Sequence, residues 1–392
     1  MRAAAAPLAL LLLPALAAPQ AAPTKAAPPQ ARAAPRPAGL EAIVAQIEKG
    51  DTAGAERQLR RIIASSGDPA ARQLLARLCF DQKRDAEAIV ELRKAALAGP
   101  LPRDLGLRLA RAETADGHPA LAEQQLRSVA QRYRSVQALM ELARLQTRQK
   151  DTAAALVTLR EARSLAPNSE DVLNAFAQVS LSVQAPMPAL QVLEPLARMC
   201  PTVAQYHYML GVALMQAGDV DASTAPLREA DRLEPNRPFT LIALGPVLNT
   251  QKEYGEAKSY LVRALDLEPD NVEAVAALAE SEEGLGELEA AETHALRAVA
   301  RVSDHAIGNL ALGMVRMKQG RYEEACAALE KALAADPASP KAPYQLSLAW
   351  ARRGDEARSK KYLEVYRERV RAIDVRLQEV QAKTGLSGGM KR

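Results

Sequence analysis

Apolar residues recur along this chain with a helical spacing, and the whole pattern repeats about every 34 residues. Nine units, beginning at residues 69, 103, 136, 170, 204, 238, 272, 306 and 340, place a large apolar residue at the seventh position and a small one at the eighth. A large apolar residue beside Ala, Gly or Ser suits two helices that cross at close distance. The pattern therefore predicts a row of helical hairpins. The seventh-position residues are Leu75, Leu109, Leu142, Phe176, Leu210, Leu244, Leu278, Leu312 and Leu346.

Small residues and helix breakers divide each unit into two helices. The twentieth position is Ala or Ser throughout, from Ala88 to Ser359, and predicts a second close crossing. Proline ends the second helix, because it lacks the N–H group and clashes with the preceding turn; prolines stand at 100, 167, 201, 235, 269 and 337. Glycine near the fifteenth position predicts the turn between the helices; these residues are Gly117, Gly218, Gly286, Gly320 and Gly354.

This arrangement resembles the tetratricopeptide repeat family over residues 36–373, including a weaker first unit near Arg36. The chain departs from the family pattern at the fourth position, which is rarely aromatic, and at Arg134 and Ser303, which replace the terminal proline. The resemblance implies an all-α fold, a right-handed superhelical solenoid of about ten hairpins. It also implies a scaffold that binds other proteins rather than an enzyme.

The N-terminus has the features of an export signal. Arg2 precedes an apolar run from Leu8 to Leu16, and Ala15-Leu16-Ala17 fits a cleavage site. We predict a signal peptide at residues 1–17 and an Ala/Pro-rich disordered tether at 18–38. The alternative is an Ala-rich leader on a cytosolic protein. Export predicts a periplasmic or cell-envelope location for the mature chain.

The C-terminus lacks proline and glycine from Glu356 to about Lys383, and apolar residues recur there at helical spacing. We predict a repeat solenoid over 39–373, with the end of a capping helix and a flexible tail over 374–392. The capping helix would cover the last hairpin. A helix that binds a membrane surface or a partner is the alternative.

Composition and charge favour binding over catalysis. Hydrophobic residues make up 48% of the chain and aromatic residues only 3%, which suits helices. Residues 1–135 contain 20 Lys and Arg against 13 Asp and Glu, whereas residues 204–305 contain 8 against 18. Three scattered cysteines and four isolated histidines form no metal or catalytic motif. We predict no cofactor, no catalytic residue and no nucleic-acid partner, and interpret the dense glutamates of 280–292 as a solvated acidic face.

The family resemblance assigns specific first-helix positions to a concave groove. At the ninth position stand Arg77, Arg111 and Arg144, with Arg108 and Arg148 beside them. We predict that these side chains form a positive ladder suited to carboxylates, phosphates or an acidic polypeptide. The alternative is a chance alignment in an arginine-rich sequence.

Later units carry apolar residues at the groove positions. They would offer an adaptable contact surface for a helix or an extended peptide. Glu273, Glu280 and Glu283 interrupt this stripe and would select basic neighbours. The alternative is that a tightly wound superhelix buries some of these side chains between its own hairpins. The residues are Tyr208, Met209, Met215, Phe239, Ile242, Met314, Met317 and Tyr344.

These observations together predict a scaffold or adaptor of the cell envelope that binds partner proteins or peptides in its groove. A structural component of an envelope assembly, such as pilus, secretion or exopolysaccharide-export machinery, is the alternative. A catalytic function is the more remote alternative.

Overall fold

The structure is a computed structural model and describes residues 38–384. The predicted signal peptide, nearly all of the predicted tether and residues 385–392 lie outside the described residues. The described residues form twenty α-helices and no strand, which confirms the predicted all-α class. The helices are α1 (Ala38–Glu48), α2 (Thr52–Ser66), α3 (Pro69–Asp81), α4 (Asp85–Ala98), α5 (Arg103–Ala115), α6 (Pro119–Tyr133), α7 (Val136–Arg148), α8 (Thr152–Leu165), α9 (Glu170–Ser182), α10 (Pro186–Met199), α11 (Ala204–Ala217), α12 (Val220–Leu233), α13 (Pro238–Thr250), α14 (Tyr254–Leu267), α15 (Val272–Leu285), α16 (Leu288–Arg301), α17 (Ala306–Lys318), α18 (Tyr322–Ala335), α19 (Lys341–Arg352) and α20 (Glu356–Thr384).

The twenty helices form ten hairpins, in which an odd-numbered first helix is followed by an even-numbered second helix. Hairpins such as α3–α4, α11–α12 and α17–α18 pack tightly, and second helices such as α2, α6, α14 and α18 pack on the first helix that follows them. Sequential stacking of this kind is the solenoid architecture. The predicted solenoid of about ten hairpins is therefore confirmed.

The repeated small residues allow the two helices of a hairpin to approach. Ala88, Ala122 and Ala155 at the twentieth position are fully buried. A Cβ atom added to Gly245 would lie 2.5 Å from Leu261 Cδ2, which is closer than any real contact. At Gly245 the leucine of the second helix thus packs directly against the backbone of the first.

The turns within the hairpins adopt a left-handed backbone conformation at the fifteenth position. Glycine supplies it at Gly218 and Gly286, with φ of 91° and 82°. Where glycine is absent, Lys83 (φ 61°), Lys150 (φ 63°) and Lys252 (φ 65°) adopt the same conformation. Position in the repeat therefore dictates the turn, even for residues with a Cβ atom.

The chain divides into two compact units between Ala175 and Phe176 of α9. The N-terminal unit contains the described residues 38–175. Its core is a cluster of buried apolar side chains on α1 to α5 that includes Leu59, Leu75 and Leu92. No close packing between its described first helices matches that seen in the C-terminal unit.

The C-terminal unit contains residues 176–384. Its first helices approach one another directly, α13 on α15 and α15 on α17, whereas its neighbouring second helices make no comparable approach to each other within the described residues. Helices that converge on one side of a row lie on the inside of its curve. We call the side lined by α11, α13, α15, α17 and α19 the inner face.

Candidate binding surfaces

Exposed arginines line the first helices of the N-terminal unit. Arg77 Nη1 lies 2.6 Å from Asp104 Oδ2, which links α3 to α5. Arg111 Nε donates to both carboxylate oxygens of Glu141 at 3.1 Å, which links α5 to α7. Hydrogen bonding to Glu141 raises the pKa of Arg111. The two pairs place these arginines on the same side of consecutive hairpins.

Three further arginines extend this row. The Arg108 guanidinium lies 4.5 Å from the centre of the Phe80 ring, in a cation–π contact that links α5 to α3. Arg144 and Arg148 are exposed on α7 and have no ion-pair partner among the described residues. We call Arg77, Arg108, Arg111, Arg144 and Arg148 the arginine face. Neighbouring side chains hold three of its guanidinium groups in place while leaving them open to solvent.

The predicted apolar stripe of the C-terminal unit is partly internal. Tyr208, Met209 and Ile242 are only 3%, 0% and 4% exposed, so the expectation that they project into a groove does not hold. Phe239 packs edge-on against Tyr208, with ring centres 4.6 Å apart. Burial raises the pKa of Tyr208 to about 12. The close approach of neighbouring first helices turns these groove positions into core.

The remaining members of the stripe keep some accessible surface. Met215 and Phe239 are half-buried, and Met314 and Met317 pack beside a core cluster that includes Trp350. Tyr344 is 40% exposed, and its ring centre lies 5.1 Å from that of Tyr366 on α20. The surface available for contact is therefore smaller than the sequence predicts.

Buried glutamates on the inner face are the main feature that the sequence analysis missed. Glu280 Oε1 lies 2.6 Å from Lys341 Nζ, and Glu283 Oε1 lies 2.7 Å from Lys318 Nζ. The two carboxylates belong to α15, and their lysines belong to α19 and α17. Opposite charges at first-helix positions of nearby units were the available signal. Lys341 reaches past an intervening hairpin to its partner.

The interpretation of the glutamate-rich segment as a solvated face is wrong for Glu280, Glu282 and Glu283, which are 6%, 3% and 4% exposed. Glu282 Oε2 lies 2.7 Å from His294 Nδ1. Each carboxylate thus enters the interior together with a partner that offsets the loss of hydration. These partners, His294, Lys318 and Lys341, all belong to helices of the repeat array.

A compact charge cluster links α2 to α4 in the N-terminal unit. Glu56 Oε2 lies 2.8 Å from Arg84 Nη1, and Glu56 Oε1 lies 2.8 Å from Arg60 Nη2. Glu87 pairs with both arginines. Hydrogen bonds from Arg84 and then Arg60 lower the pKa of Glu56 to about 2. The cluster joins the neighbouring second helices α2 and α4, and we interpret it as stabilising their packing.

Groups that could support metal or redox chemistry are sparse in the described part of the chain. No cluster of three or more His, Cys, Asp or Glu side chains there could hold a metal ion. The thiols of Cys79 and Cys326 are free and buried. None of the helices from α1 to α20 is long and apolar enough to cross a membrane.

Comparison with known families agrees with this geometry. Three family models, each described as tetratricopeptide repeat, match residues 306–339, residues 248–310, and residues 40–102, 107–170 and 186–238. Together the matches cover more than half of the chain and follow the hairpins seen in the structure. The chain belongs to the tetratricopeptide repeat family. Tetratricopeptide repeat proteins generally mediate protein–protein interactions, and their fold is typically a non-enzymatic scaffold.

A curated relative of this tetratricopeptide repeat chain is "Cellulose synthase 2 operon protein C" from Komagataeibacter xylinus. The two are 30% identical over 121 residues, which cover 30% of this chain and 9% of the relative. The chain therefore spans less than a tenth of that protein.

Two solved structures are similar to this chain at low identity. A tetratricopeptide repeat protein from Parabacteroides merdae is 15% identical, with a TM-score of 0.48, over 63% of this chain and 98% of the other. The yeast protein Tom70 is 12% identical, with a TM-score of 0.38, over 88% and 94% of the two chains. No binding partner follows from likenesses of this degree.

Proposed function

We propose that this protein is an interaction scaffold of the cell envelope and that its arginine face binds an acidic segment of a partner protein. The observation that carries the proposal is the row of exposed arginines on α3, α5 and α7. Arg77, Arg108 and Arg111 are held by neighbouring side chains. Arg144 and Arg148 lack an ion-pair partner within the described residues. Guanidinium groups in such a row bind carboxylates through paired hydrogen bonds.

The pairs within the arginine face also fix its chemistry. Asp104 and Glu141 neutralise part of the positive charge, so the surface offers separated guanidinium groups rather than one dense basic patch. Spaced carboxylates on a polypeptide match this spacing better than the continuous charge of a nucleic acid. An acidic protein segment is therefore the ligand that we favour.

The envelope location rests on the sequence of residues 1–38. The short basic start, the apolar run and the Pro-rich segment fit an exported chain that stands away from its point of attachment. Intact-mass measurement of the protein from an envelope fraction tests export, and a chain beginning at Ala18 is the expected result. A cytosolic protein that retains residues 1–17 would contradict it.

A structural role within an envelope assembly is the second candidate. The similarity to a protein named for a cellulose synthase operon favours exopolysaccharide machinery over pilus or secretion machinery within this candidate. The same partner-capture experiment addresses both candidates, because an assembly component would be captured together with the rest of its machine.

Crosslinking and affinity capture from the cell envelope test the binding surface. We expect the triple variant Arg77→Glu, Arg111→Glu and Arg144→Glu to lose most of a partner that the wild-type chain captures. The matched control changes Arg57, Arg61 and Arg160 to Glu; these arginines are exposed on the second helices α2 and α8. The control alters the net charge equally and should retain the partner. Equal capture by both variants would overturn the proposal.

A further inference from the structure

The last helix is about twice as long as its hairpin requires. The second helices α4, α12 and α18 each contain 14 residues, whereas α20 contains 29. The first half of α20 packs on α19 as the second helix of the last hairpin. At 1.5 Å per residue, the second half extends roughly 20 Å further.

One side of α20 remains covered beyond the length of a normal second helix. Tyr362, Tyr366, Arg369, Val370 and Ile373 are half-buried and recur every three or four residues, which places them on one side of the helix. Exposed residues occupy the other side: Glu364, Arg367, Glu368, Arg371 and Val375. The helix is therefore amphipathic, and its covered side has a partner as far as Ile373.

The partner of the extended part lies at the far end of the unit. Besides α19, α20 contacts α10 and α11, which belong to the hairpins five and four places before its own. The first helices α13, α15 and α17 lie between α11 and α19 in a curved row. A straight helix that touches both ends of a curved row runs along its chord, on the concave side. The extended part of α20 therefore runs between α19 at one end of the row and α10 and α11 at the other.

We propose that α10 and α11 form a seat for an amphipathic helix and that the stretch of α20 around Val370 and Ile373 occupies this seat within the same molecule. A helix from a partner protein would bind there only when this segment leaves. The segment lies near the end of the described chain, and terminal helical turns open at low free-energy cost. Its departure would uncover part of the inner face, to which α11 contributes the half-buried Met215. The proposal concerns the C-terminal unit and does not depend on the arginine face.

The test uses a labelled peptide that contains residues 363–384. In the full chain, Val370→Asp with Ile373→Asp places charges on the covered side of α20 and should unseat it. We expect this double variant to bind the peptide at least about ten times more tightly than the wild-type chain, whose seat is filled. The control Val375→Asp changes a residue that is 57% exposed and should behave as the wild type.

A chain that ends at Val370 is the second test molecule, with circular dichroism to establish that it folds. It should bind the peptide as the double variant does. Equal affinity of the wild type and the double variant would overturn the proposal, and so would the absence of binding to both opened chains. A wild-type dimer that dissociates in the double variant would also overturn it, because the seat would then be filled by α20 of a second copy.

Discussion

Charged side chains perform different tasks in the two units, and their exposure decides which. On the arginine face, Arg144 and Arg148 keep their hydration and remain available to a ligand. On the inner face, Glu280 and Glu283 have lost most of their hydration and depend on lysines from later hairpins. A buried carboxylate that loses its partner is costly, whereas an exposed ion pair contributes little.

This difference predicts the effect of removing Lys341. Lys341→Ala leaves the carboxylate of Glu280 buried without its cation, and we expect the free energy of unfolding to fall by about 2 kcal/mol. Lys360→Ala is the matched control, because Lys360 and its partner Glu356 are 78% and 84% exposed. The control should change stability by less than about 0.5 kcal/mol. Urea denaturation measures both, and equal effects would contradict the proposed role of burial.

Glu56 predicts a specific acid sensitivity. Hydrogen bonds from Arg84 and Arg60 lower its pKa to about 2 in the folded chain, below the ordinary value of 4.5. A lowered folded-state pKa contributes stability above the ordinary pKa, and this contribution disappears as the pH falls from 4.5 to about 2. We expect Glu56→Gln to reduce stability at pH 7 by about 2 kcal/mol and to have little effect at pH 2.

Urea unfolding of the wild-type chain and Glu56→Gln at several pH values measures this difference. Glu364→Gln serves as the control, since Glu364 is 55% exposed in its pair with Arg367. A constant difference between the wild type and Glu56→Gln from pH 7 to pH 2 would count against the prediction.

At the scale of the helices, the hairpin α13–α14 contains two glycines with opposite roles. Gly245 seats the buried Leu261, and an added Cβ would lie 2.5 Å from Leu261 Cδ2. Gly255, in α14, has no atom within 4 Å of the position that a Cβ would occupy. The same residue type therefore permits close packing in one helix and leaves the other helix less stable than it could be.

Alanine at these two positions should change stability in opposite directions. We expect Gly245→Ala to lower the free energy of unfolding by about 1–3 kcal/mol through overpacking. Gly255→Ala should raise it by about 0.5–1 kcal/mol, because alanine restricts the unfolded chain and favours the helix. Thermal or urea unfolding measures both variants, and a stabilising Gly245→Ala would disprove the proposed close contact.

Much of the helical framework follows from local sequence rules, but the candidate surfaces do not. Leu75 and Ala88 mark the hairpins because each must fit its own partner helix. The burial of Met209 and Glu280 depends instead on how sharply one hairpin turns relative to the next, and a repeat length of 34 residues does not encode that angle. Arg77 is exposed as predicted because first helices of the N-terminal unit do not converge as closely.

At the scale of the whole molecule, the two units differ in charge as well as in packing. The basic excess of residues 1–135 lies in and before the N-terminal unit, and the acidic excess of residues 204–305 lies within the C-terminal unit. Several of the acidic side chains are already paired inside the structure. These carboxylates are therefore not available for recognition, whereas the guanidinium groups of the arginine face remain exposed.

The contact of α20 with α10 and α11 has a consequence for how the C-terminal unit unfolds. In an open row of repeats, the terminal hairpin has one neighbour and frays first, and the loss then spreads inward. Here α20 joins the last hairpin to α10 and α11, and the pair of Glu280 and Lys341 joins hairpins that are not neighbours. The last hairpin is therefore held at both ends and does not fray independently. We expect the C-terminal unit to unfold cooperatively in one transition, whereas the N-terminal unit unfolds progressively from α1.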